Sequence, residues 1–175
     1  MIKKNLILRF EIISTIFIMI LGVLLHFTYE WFSKNILVGT FSAINESTWE
    51  HLKLIFFPML ITLLIGYIYI GNNIPNYLCA KVLGIISAIF FTIIFFYTYT
   101  GIIGTNFAIA DISSFFIAVA LGQYVAYQKM QSKSSCNNLI AIIILLVLYL
   151  CFLIFTFFPP HIALFRDPIT GVFGI

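Results

Sequence analysis

LIAIIILLVLYLCFLIFTFF, residues 139–158, contains no charged side chain, no proline and no glycine. A helix needs about 20 mostly apolar residues to cross bilayer hydrocarbon, whereas a transmembrane strand needs only about 9–11 that alternate in polarity. Nothing alternates here, so the run predicts a membrane helix. It is almost entirely Leu, Ile and Phe, with Cys151 as its one thiol, and reads as a lipid-facing wall. Pro159-Pro160-His161 then ends it.

Working outward, four further apolar runs lie upstream, at about residues 10–29, 52–70, 82–100 and 107–127. Composition agrees. Hydrophobic residues make up 62% of the chain and charged residues only 9%, against roughly 45–50% apolar in soluble domains. The expectation is an all-α, polytopic transmembrane helical bundle of about five spans. Residues 1–175 form a single membrane domain, with an outer connection at 30–51 and an outer tail at 159–175. Lys3, Lys4 and Arg9 precede the first run like the start of a signal peptide. That run is longer than the usual h-region of about 7–15 residues and no small-residue cleavage site follows, so it reads as a retained helix. No basic patch or stripe suits nucleic acid.

Lysine and arginine placement sets the expected orientation. Lys3, Lys4, Arg9, Lys81, Lys129 and Lys133 fall on one side, Lys34, Lys53 and Arg166 on the other. This bias favours N-in/C-out. Cys79 and Cys136 then face the reducing side and Cys151 sits mid-helix, so no disulfide is expected.

Charge is scarce, yet it gathers. Glu30, Glu46, Glu50, Asp111 and Asp167, five of the six acids, share the outer end with all three histidines, His26, His51 and His161. Ionisable groups at one membrane depth usually mark a working site. In the first helix Ser14, Ile18, Gly22, His26 and Glu30 recur every four residues on one drifting face. Gly22 permits close helix approach, so this stripe should face protein. Glu11 lies near the inner end, where Arg9 or Lys4 can pair with it.

Trp31-Phe32 suits the headgroup region. Residues 36–44 are too short to span and are interrupted by Gly39, Thr40 and Ser42. They either lie on the surface or re-enter the protein. The second helix should begin within Asn45-Glu46-Ser47-Thr48-Trp49-Glu50-His51-Leu52-Lys53. Asn45 is the expected N-cap, and Ser47 with Glu50 fits a capping box one step later. Pro58 should kink this helix and free the Leu54 carbonyl. Gly84 and Ala88, and likewise Ser114, Ala118 and Gly122, make small packing faces. Asn106 is placed to cap the fourth helix, with Asp111 about one turn inside. Tyr97 and Tyr99 read as interfacial anchors. Arg166-Asp167-Pro168-Ile169-Thr170-Gly171 has turn chemistry, so the tail can fold back as a lid.

His26/Glu30 and Glu46/Glu50 are i,i+4 pairs, close enough to share an ion. Imidazole and carboxylate ligands with open positions suit a divalent Zn, Mn or Fe, and such an ion activates water. The expected metal ligands are His26, Glu30, Glu46, Glu50, His51 and His161. Glu50 and Asp111 are the expected catalytic groups, with Arg166 orienting an anionic group. No His-Glu-x-x-His helix is present. Ser47, His51 and Glu50 are neighbours but form no nucleophile elbow. Two other arrangements fit the same residues. One is a hydrogen-bonded network with Lys53 or Arg166 that locks helix ends. The other is a proton or ion pathway, against which no ionisable group marks the midplane.

Leu25-His26-Phe27-Thr28-Tyr29-Glu30-Trp31, the stretch from Val38 to Lys53, Phe96-Tyr97-Thr98-Tyr99-Thr100-Gly101 and the ending Pro160 to Gly171 resemble a family of uncharacterised bacterial membrane proteins, domain of unknown function 6512. The resemblance covers nearly the whole chain. It implies a small multi-pass protein of the bacterial cytoplasmic membrane and carries no catalytic assignment. The functional expectation from the residues is a metal-dependent hydrolase acting on a lipid or lipid-linked substrate. The alternatives are an oligomeric transporter or ion-handling subunit, and an accessory protein whose polar cluster is structural. Expected partners are the bilayer, a small-molecule or lipid ligand and, for transport, further copies of the chain.

Overall fold

The computed structural model describes residues 4–132 and 136–174. Lys3 and Lys133, two cations of the inner group, lie outside the described residues. The helices are α1 (Lys4–Trp31), α2 (Ile36–Gly39), α3 (Thr48–Tyr69), α4 (Tyr77–Ile103), α5 (Ala108–Gln131) and α6 (Asn138–Phe157). All but α2 are long and apolar enough to cross a membrane, which makes this a multi-pass membrane protein. Every expected run is a helix. Several continue past their apolar run, because helical hydrogen bonding proceeds into the headgroup layer where side chains turn polar.

Small residues decide which helices touch. α4 and α5 make the most extensive contact in the bundle. A methyl placed on Gly122 would stand 2.7 Å from the Gly84 carbonyl oxygen, so neither position has room for a side chain. α1 packs on α3 at Gly22, where a methyl would stand 2.6 Å from the Leu54 carbonyl oxygen. Pro58 lacks the N–H that would bond this carbonyl. The proline therefore frees an oxygen at the place where the neighbouring helix has no side chain to cover it. α3 runs through Pro58 as one continuous helix.

α6 is the outermost wall, with only Ala141, Phe152 and Thr156 buried. Phe152 meets Trp49 and Phe56, with ring centroids 4.7 and 4.8 Å apart. Trp49 also packs on Phe165 of the tail at 4.8 Å, tying the start of α3 to the chain's end.

The connection between α1 and α3 re-enters the bundle. The Ser42 hydroxyl donates to the Leu25 carbonyl and accepts from the Tyr29 N–H at 3.2 Å. Leu25 lies six residues before Trp31, about 9 Å deeper along the helix. This irregular backbone is satisfied by protein, as hydrocarbon depth requires. Lys53, fully buried, donates to the Gly39 carbonyl at 2.7 Å and to Thr156 at 3.0 Å.

Four local expectations are corrected. Asn45 is not the N-cap of α3; the cap is Ser47, the residue of the expected capping box, and its hydroxyl accepts from the Glu50 N–H at 3.3 Å. Asn45 instead accepts from the Ser47 N–H and donates to the Gly174 carbonyl, because the returning tail offers it a partner. Asn106 does not cap α5, since Phe107 holds that position and Asn106 donates to Asp111. Glu11 pairs with neither Arg9 nor Lys4: it is buried and pairs with Lys81 at 2.6 Å, because that face of α1 packs inward. Cys79 and Cys136 form a disulfide, with Cα atoms 6.0 Å apart. The end of α5 lies beside the start of α4, where the Asn76 side chain donates to the Lys129 carbonyl at 2.6 Å. The two cysteines meet across a separation of 57 residues.

Candidate functional site

The start of α3 builds the centre of the site. Ser47 caps the helix, so its carbonyl turns inward along the first turn. That carbonyl takes the backbone N–H of His51 at 3.2 Å and also the His51 ring Nδ1 at 2.9 Å. A carbonyl only accepts, so Nδ1 carries the proton and Nε2 is left facing Glu46 Oε2 at 3.4 Å. His26, from α1, presents its own Nε2 to Glu46 Oε1 at 3.8 Å. The two imidazole rings are 5.3 Å apart. One ligand atom from each of His26, Glu46 and His51 lies within 4.8 Å of the others.

A lone pair on Nε2 beside a carboxylate needs positive charge between them. A proton supplies it by making an imidazolium–carboxylate pair; a metal ion supplies it by accepting both lone pairs. The Nδ1–H to Ser47 bond is the outer hydrogen bond that metal-bound histidines usually make. His26 has no such support, since its Nδ1 is buried without a partner. Tetrahedral zinc with ligands at about 2.0–2.1 Å holds them about 3.3 Å apart, so the trio must close slightly around an ion.

The trio sits in a cavity of about 450 Å³, within the range of about 300–1,000 Å³ usual for small-ligand sites. Gly22, Leu54, Ile55, Phe96 and Phe115 make apolar walls, and Pro168 and Ile169 of the tail close one side. Asp111 lines the same space from α5. The Tyr99 hydroxyl donates to one of its oxygens and Asn106 donates to the other at 3.1 Å. Both donors fix a carboxylate that faces the trio across the cavity.

Outside the membrane-spanning segments, two acids are held in their charged form. The hydrogen bond with His51 holds the Glu46 carboxyl below the usual range, against the opposing effect of partial burial. Burial works against the Asp167 charge too, but the N–H groups of Ile169 and Thr170 outweigh it and lower its pKa. Those bonds, at 2.7 and 3.1 Å, fold the tail into the turn that carries Pro168 and Ile169.

Of the expected site residues, His26, Glu46, His51 and Asp111 line the one cavity. Arg166 lines an adjoining cleft that shares Thr48, Phe96 and Pro168 with it. Glu30 is exposed and pairs with Lys34 at 3.4 Å. Glu50 is buried and committed elsewhere, to Lys53 at 2.5 Å and to the Ile44 N–H at 3.0 Å. His161 is exposed at the rim and stacks on Phe173. Sequence reading missed Tyr99 and Asn106 as partners of Asp111. Their signal was only the crowding of polar residues into the α4–α5 turn.

Neither the curated proteins nor the solved structures include a match to this sequence. A family model with no assigned activity does match, over residues 2–175, and the chain therefore belongs to the family of unknown function DUF6512.

Proposed function

We propose that His26, Glu46 and His51 hold a divalent metal, Zn, Mn or Fe, and that the cavity hydrolyses an ester of a lipid or lipid-linked substrate at the outer rim of a bacterial cytoplasmic membrane. The observation that carries this reading is His51, with Nδ1 secured by the Ser47 carbonyl and Nε2 aimed at Glu46. Two imidazoles and one carboxylate leave an open position, as in catalytic zinc sites. A metal held by these three residues would lower the pKa of a water, and that is the chemistry it would supply. Asp111 takes the water's proton as its oxygen adds to the substrate's carbonyl or phosphoryl centre. The leaving alcohol then takes that proton as its bond to the centre breaks. Arg166 orients an anionic group. Glu50 supports the site by anchoring the re-entrant segment through Ile44.

The test is metal content in detergent-purified protein after loading with each ion. About one ion per chain is expected, falling to near zero in His51→Ala and Glu46→Gln and unchanged in Glu30→Gln. Sub-stoichiometric metal in the unmodified chain, with His51 titrating as an imidazolium paired to Glu46, would make the cluster a structural clamp and the protein an accessory one.

A further inference from the structure

Several residues that line the cavity are exposed: Asn106, Ala108, Pro168 and Ile169 at its rim, and Val23, Phe27 and Ile112 on the flanks of two helices. Val23 is 42% and Phe27 46% exposed on α1, and Ile112 is 58% exposed on α5. Beside its rim, the cavity is thus bordered by exposed apolar side chains of both α1 and α5. On α1 these positions lie four to eight residues before Trp31, about 6–12 Å below the headgroup level that Trp31 marks. On α5 Ile112 lies four residues from the helix start, about 6 Å along it. At that depth these flanks face hydrocarbon, while the rim faces water.

The cleft that adjoins the cavity holds a cation, Arg166. Among the described residues Arg166 has no carboxylate partner. It borders the cavity across Thr48, Phe96 and Pro168. We infer that the ligand is a phosphate-bearing membrane lipid that enters sideways between α1 and α5. Its phosphate sits between the His26/Glu46/His51 trio and Arg166, and its chains leave beside Val23 and Ile112. The volume of about 450 Å³ suits a head and the first part of a chain. The remainder of the chain stays in the bilayer, which only a lateral opening allows. This rests on the metal reading: without a divalent ion, Glu46 and Asp111 would repel a phosphate.

Full-length protein in detergent, loaded with zinc, is titrated with dioleoyl phosphatidate, with dioleoylglycerol and with inorganic phosphate, and binding is followed by native mass spectrometry. Phosphatidate is expected to bind at least about tenfold more tightly than either of the others. Arg166→Gln brings it down to the level of dioleoylglycerol. Ile112→Trp and Val23→Trp, both at exposed positions, weaken phosphatidate at least about tenfold while zinc stoichiometry is kept. Equal binding of phosphatidate and dioleoylglycerol, inorganic phosphate binding as tightly as the lipid, or indifference to both tryptophans would overturn the lipid assignment with the metal site intact. A chain that takes up no zinc overturns the metal reading, and this inference with it.

Discussion

Glu11 and Lys81 join α1 to α4 through two contacts of 2.6 and 2.7 Å, with Gln123 of α5 accepting from the same ammonium at 3.5 Å. Both charged residues are buried, so each makes the other tolerable: either alone would be an uncompensated charge in a medium of low polarity. Lys81→Met is expected to destabilise the bundle by about 3–5 kcal/mol, because it strands the Glu11 carboxylate. Adding Glu11→Met should restore most of that loss, since apolar replacement of a whole buried pair is often neutral or better. Thermal unfolding of both variants in detergent measures the difference. A double variant no more stable than Lys81→Met would show that the pair does not act as a unit. Sequence alone pointed Glu11 at Arg9 or Lys4. Its true partner is 70 residues away, and nothing local announces it.

At the scale of the element, α1 explains why one predicted stripe half succeeds. A spacing of four residues drifts by about 40° per step on a helix of 3.6 residues per turn. From Ser14 to Glu30 the drift accumulates to about 160°. Ser14, Ile18 and Gly22 are buried, His26 is half-buried at the cavity, and Glu30 has turned out to solvent. The i,i+4 pairing of Glu46 with Glu50 fails for a different reason. Glu46 precedes the helix, so the two carboxylates share no helical face. The tail is the other element with a clear energetic handle. Asp167 has an ordinary pKa of 3.8 that is lowered in the folded protein by the Ile169 and Thr170 amides. A depressed carboxyl stabilises fully above its unfolded value, and that contribution is lost as pH falls through the lower folded value. The tail should therefore resist pepsin at about pH 4.5 and be cut readily at about pH 2, after correction for pepsin's activity on an unstructured peptide. Asp167→Asn should remove most of this pH dependence. An unmodified tail cut equally at both pH values would show that Asp167 does not hold it.

Over the whole molecule, two signals of orientation disagree. The Lys/Arg bias sets the end of the bundle bearing Cys79 and Cys136 in the cytoplasm, where thiols stay reduced. The disulfide between them favours an oxidising compartment. Two of the counted cations weigh less than they did in the sequence, since Lys81 and Lys53 are buried in pairs, one on each side. Their removal leaves the bias standing in sign. The expected result is therefore N-in: in intact cells a membrane-impermeant maleimide leaves Cys79 and Cys136 unlabelled, with or without a mild reductant. In inside-out vesicles the same reagent labels both once the disulfide is reduced. Labelling in intact cells after reduction would reverse the orientation and turn the cavity toward the cytoplasm.

The number of spans, their helical character and the concentration of acids and histidines at one rim followed from sequence, because bilayer thickness and the cost of unpaired charge act on composition along the chain. Which of those side chains meet was decided only by tertiary structure. Glu50 faces Lys53 and Glu30 faces solvent, while His26, Glu46 and His51 converge. That choice depends on helix phase, on where α3 is capped and on the re-entry of residues 36–47. The cap is local and the Ser47/Glu50 pattern announces it, but phase and re-entry are set by contacts between distant segments that no local pattern encodes.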